Sequence, residues 1–62
     1  MIYRVEAEAQ SGRTYVYEVS GPSGASDTVV ASAAYRQHGR TMQALVDPLT
    51  PNYYITAKGE QP

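Results

Sequence analysis

The chain has 62 residues, a formal net charge of −1, no cysteine and a single histidine, His38. This length fits one domain spanning residues 1–62, too small for a large core and without a disulfide to staple it. One imidazole and no thiolate leave nothing to build a structural metal site, so neither metal nor cofactor is expected. Only five Lys and Arg are present, and they are scattered, so non-specific nucleic-acid binding has no electrostatic support.

Residues 2–9 alternate. Tyr3, Val5, Ala7 and Ala9 fall on one face, with Arg4, Glu6 and Glu8 on the other beside Ile2, which is the pattern of a half-buried strand. Residues 13–20 alternate in the same way, with Tyr15, Tyr17 and Val19 on one face and Val16 as an apolar exception on the polar one. A two-residue turn between the strands would mix the two faces. A three-residue turn with Gly12 in the left-handed region keeps them apart and pairs Ala7 with Tyr15, Val5 with Tyr17, Tyr3 with Val19 and Arg4 with Glu18.

The loop 20–25 is rich in Gly, Ser and Pro. Ser26 or Asp27 then caps an Ala-rich helix over 28–38 whose buried stripe is read as Val30, Ala33, Ala34 and Gln37, widened by Val29. Gly39 reads as the left-handed residue just past its end, with Arg36, His38 and Arg40 complementing the negative terminus from the surface. Residues 41–46 read as a third strand. Residues 47–52 read as a turn whose two prolines exclude a ladder, and 53–58 as a last strand with Tyr53, Ile55 and Ala57 on one face. Residues 59–62 read as a frayed tail.

The expected fold is therefore α+β: an antiparallel sheet of three to four strands with one helix on one face, in the order ββαββ. A crossover through the helix places strand one at the centre of the sheet and leaves strand two, Arg13 to Val19, as an open edge. That edge offers self-pairing into a homodimer or pairing with a foreign strand.

Catalytic readings are weak. His38 has no oriented nucleophile beside it in the pattern, and Gly21-Pro22-Ser23-Gly24-Ala25 lacks the second glycine of a nucleophile elbow. The loop also lacks the Gly-Lys-Ser/Thr ending of a phosphate-binding loop. Every aromatic residue is a tyrosine: 3, 15, 17, 35, 53 and 54. A ring with a polar tip suits half-wet surfaces and interfaces, although a helix over Tyr3, Tyr15 and Tyr17 would make those three core. The open sheet face then presents Arg4, Glu6, Glu8, Val16, Glu18 and Tyr54, which is the candidate protein-binding surface. The alternative is a nucleic-acid-binding module using Arg36, Arg40 and Lys58, and another is a virion or assembly accessory protein.

A hairpin from the first residue, one Ala-rich helix and antiparallel return strands within Ile2–Lys58 resembles small host-takeover proteins of tailed bacteriophages. These include inhibitors of host RNA polymerase and of CRISPR effector complexes. Element order and length carry the resemblance, so no residue role transfers. It implies a non-enzymatic, phage- or mobile-element-encoded domain that binds and modulates a host protein. The lack of a basic-then-apolar signal peptide and of a membrane-spanning run reads separately as a cytoplasmic location and a chain complete as written.

Overall fold

The computed structural model describes residues 1–60, with side chains through Ile55. The fold is α+β. Its elements are β1 (Ile2–Ala9), β2 (Thr14–Ser20), α1 (Asp27–Gly39), α2 (Gln43–Val46) and β3 (Leu49–Glu60). The three strands form one antiparallel sheet in the order β2-β1-β3, with β1 central as the crossover argument expects.

The β1–β2 hairpin has the register derived from facing: Tyr3 opposite Val19, Arg4 opposite Glu18, Val5 opposite Tyr17 and Ala7 opposite Tyr15. The turn closes with the Gly12 amide donating to the Ala9 carbonyl at 3.0 Å and the Ala9 amide donating to the Arg13 carbonyl at 2.8 Å. Gly12 has φ of 93°, a conformation glycine adopts without steric cost. At the open end, Met1 and Gly21 exchange N–H···O bonds of 3.0 Å each, so the hairpin is tied at both ends.

Helix α1 begins where the sequence places it. The Ser26 hydroxyl accepts the Val29 amide, and Asp27 occupies the first turn. The buried stripe is rotated from the expected one. Val30, Ala31, Ala34 and His38 are buried, whereas Gln37 and Val29 are exposed. Small residues let the helix lie close over Tyr3, Val5 and Val19, which together with Val30 and Ala34 form the core. Gly39 is not in the left-handed region. It lies inside the last turn, and Arg40 (φ −91°, ψ 1°) is the cap.

The strand expected at 41–46 is not one. The chain leaves α1 through consecutive tight turns, with Thr41 N–H to His38 O, Ala44 N–H to Thr41 O and Leu45 N–H to Met42 O, and forms the short helix α2. Met, Gln, Ala and Leu favour helix, and six alternating residues are too few to overrule that preference. The fourth strand of the expected order is thus absent among the described residues.

The final strand starts earlier than expected and includes Pro51. Proline is tolerated because β3 is an edge strand and because the ladder is bulged there. Ala9 pairs with Leu49 but Ala7 pairs with Tyr53, so β3 carries extra residues opposite Glu8. The Thr50 hydroxyl donates to the Glu8 carbonyl at 2.9 Å in place of a backbone donor. Gly59 and Glu60 belong to β3 and not to a tail. The rest of the expected tail, Gln61 and Pro62, lies outside the described residues.

Candidate protein-binding surface

The strand alternation and the position of α1 divide the sheet into two unlike faces. Beneath α1 lie Tyr3, Val5 and Ala7, all buried. On the other face the described residues place no element. There the register sets side chains in rows across the strands. Val16, Glu6 and Tyr54 form the central row, Glu18 sits opposite Arg4, and Thr14 sits opposite Glu8.

All six residues expected at a protein-binding surface fall on this face. Val16 is 53% exposed and Tyr54 68% exposed, large apolar groups flanking the half-buried Glu6. The Arg4 guanidinium meets the Glu18 carboxylate at 3.2 Å, with both side chains largely exposed. Such a pair contributes about 0–1 kcal/mol and serves more to hold the two side chains than to stabilise the fold. Glu8 is held by the Asn52 amide, which donates to Oε1 at 3.1 Å. A shallow cleft of about 310 Å³ opens between Glu6, Glu8, Thr14, Asn52 and Tyr54. Among the described side chains one arginine against three glutamates makes the face acidic, so it favours a basic or hydrogen-bonding complement.

Of the residues of the alternative nucleic-acid reading, the side chains of Arg36 and Arg40 are described. Arg36 and Arg40 are exposed near the end of α1, and Arg36 lines a second groove, about 550 Å³, shared with Ala31, Tyr35 and Tyr53. The side chain of Lys58 lies outside the described residues. Tyr35 is not a free surface ring: its hydroxyl donates to the Thr50 carbonyl and its ring meets Tyr53 edge-on, so it fastens α1 to β3. Met42, Leu45 and Val46 are also exposed, an apolar turn that the strand reading did not place at the surface.

The structure corrects the reading of His38. It is not a surface residue but is only 3% exposed, packed edge-on against Tyr15 and Tyr17. Nε2 lies 3.0 Å from the Asp47 carbonyl, which can only accept, so Nε2 carries the proton. In the neutral ring Nδ1 then accepts from the Tyr17 hydroxyl at 2.5 Å. Burial raises the Tyr17 pKa, with a smaller push from Tyr15, so this hydroxyl remains a proton donor.

Asp47 completes the network. Its carboxylate accepts the Ser11 hydroxyl at 2.6 Å, the Ser11 amide at 3.0 Å and the Tyr15 hydroxyl at 3.0 Å. The Ser11 hydroxyl bond is the main cause holding this carboxyl below the usual aspartate range, against the opposing effect of burial. No buried side-chain nitrogen or oxygen among the described residues lacks a partner. The network joins the β1–β2 turn, β2, α1 and the link from α2 to β3, and it reads as a structural clasp.

The clasp carries a pH prediction. Folding lowers the Asp47 pKa, so the unfolded chain binds that proton more tightly. The stability involved is complete above the ordinary carboxylate range and disappears as pH falls through the depressed value. Urea midpoints measured from neutral pH to about pH 2 should fall less steeply in Asp47→Asn than in the parent chain. Equal slopes would show that Asp47 does not contribute.

Comparison with known proteins finds no matching family model, no significantly similar curated protein and no significantly similar solved structure. Among the described residues no helix is long and apolar enough to cross a membrane, and no three His, Asp or Glu side chains cluster as metal ligands.

Proposed function

We propose that this chain is a small non-enzymatic protein-binding domain whose open sheet face docks on a host protein and modulates it. The observation that supports this reading is the row Val16–Glu6–Tyr54, apolar groups around a carboxylate on the face opposite the helix. Interfaces concentrate their energy in aromatic anchors framed by polar groups, and Tyr54 is the exposed aromatic of this row, beside Glu6 on the central strand. The resemblance in length and in hairpin-then-helix order to phage proteins that bind host machinery favours a bacterial protein as the partner. The acidic balance of the face suits a partner surface carrying Lys or Arg.

The test is capture of the partner from bacterial lysate with the parent chain, identification of it, and titration of purified variants against it. Tyr54→Ser and Glu6→Lys should each weaken binding about 30-fold or more, as expected of anchor residues. Arg36→Ala with Arg40→Ala should leave binding within about twofold, the behaviour of residues outside an interface. Undiminished binding by both face variants would exclude this face. Loss through the arginine pair would move the interface to the helix.

A further inference from the structure

The two edges of the sheet are unlike. The β3 edge contains Pro51 and its pairing with β1 shifts register at three places, features that discourage a further strand. The β2 edge has no proline, lysine or glycine from Thr14 to Ser20, and its register with β1 is unbroken. Met1 and Gly21 exchange both backbone bonds. Alternation along an antiparallel ladder therefore turns the amides and carbonyls of Thr14, Val16 and Glu18 away from β1. Of these groups the Glu18 carbonyl has a long contact, 3.5 Å from the Gln37 amide.

We propose that β2 pairs antiparallel with β2 of a second copy about a two-fold axis at Val16, joining two sheets into one. In this register Val16 faces Val16, and Thr14 faces Glu18 of the second copy in both directions. The outward backbone groups of all three residues are then satisfied. The two Glu18 carboxylates sit at opposite ends of the seam. Sliding the strands so that Val16 faces Glu18 would instead bring those carboxylates into diagonal contact, where like charges repel. On the helix face, Tyr15 lies opposite Tyr17 of the second copy at a non-hydrogen-bonded position, where cross-strand rings approach most closely. The exposed Val16 side chains are covered together. A chain of 62 residues gains from such burial because its own core is small.

Analytical ultracentrifugation of the purified chain tests this directly. The expected result is a dimer that dissociates on dilution and becomes a monomer in Val16→Pro, with the far-UV spectrum retained. The Val16 amide is not used by β1, so proline there removes the outward donor and spares the hairpin ladder. A register test needs no stable dimer of that variant. Hydrogen-bonded pairs place Cα atoms about 5.5 Å apart, within disulfide reach. The chain has no cysteine of its own, so Val16→Cys should cross-link on mild oxidation and Glu18→Cys should not. A parent chain that stays monomeric at about 1 mM, the weak limit of specific association, overturns the proposal. Cross-linking at 18 in preference to 16 overturns it too. Tyr54→Ser leaves the dimer intact, so this outcome is separable from the fate of the docking face.

Discussion

Replacing His38 with alanine is expected to remove about 3 kcal/mol of stability, a third or more of the roughly 3–9 kcal/mol a chain of this length holds. Small domains have roughly 0.05–0.15 kcal/mol per residue to lose. His38 is the point where three segments meet: β2 through Tyr17, the link from α2 to β3 through the Asp47 carbonyl, and α1, which carries it. Deleting the imidazole leaves a buried carbonyl without its donor and a hydroxyl without its acceptor, each costing about 1–3 kcal/mol, and opens a cavity between two tyrosine rings. Urea unfolding at neutral pH measures the loss. Tyr17→Phe removes only the hydroxyl facing Nδ1 and should cost about 1–2 kcal/mol. A slowly exchanging Nε2 proton in the parent chain would confirm the tautomer. A His38→Ala midpoint matching the parent would show that the ring is not part of the core.

The clasp around His38 was hidden in the sequence for a physical reason. Val30, Ala34 and His38 follow one another at helical spacing, so the stripe was present. Gln37 fitted an adjacent stripe equally well, and a histidine near a helix terminus has a sufficient surface explanation in the macrodipole. Its partners lie 21 and 9 positions away, one of them a backbone carbonyl, which no side-chain pattern announces. Residues 41–46 failed differently, because six alternating residues suit a strand or a helical turn alike. The hairpin was legible because slipping it by one residue would set Val5 opposite Glu18 and Arg4 opposite Val19, mixing apolar and charged groups on both faces. The open face followed from the same alternation, so Arg4, Glu6, Glu8, Val16, Glu18 and Tyr54 came together as expected. The bulge that admits Pro51 was not readable, since it depends on Thr50 and Asn52 reaching Glu8 across the sheet.

Tyr3→Ala should be as severe as loss of His38, at about 3–5 kcal/mol, the range for deleting a large buried aromatic side chain. Tyr3 lies on the central strand beneath α1 and is almost fully buried. Its ring packs with Val5, Val19, Val30 and Ala34, and its Cε2 lies so near Gly21 that a Cβ there would meet it at 3.3 Å. The hydroxyl contributes separately. It donates to the Pro22 carbonyl at 2.6 Å and sits 3.4 Å from the Ala25 amide, bridging the loop that leads into α1. The two contributions are separable by experiment. Tyr3→Phe keeps the ring and should cost about 1 kcal/mol, with faster amide exchange at Ala25 and little change elsewhere. Tyr3→Ala should lower the urea midpoint far more and loosen the whole sheet. Tyr54→Ser, on the open face, should stay within about 0.5 kcal/mol of the parent. That contrast between two tyrosines on opposite faces would assign Tyr3 to folding and leave Tyr54 available for the proposed docking. Comparable losses from Tyr3→Ala and Tyr54→Ser would contradict both assignments.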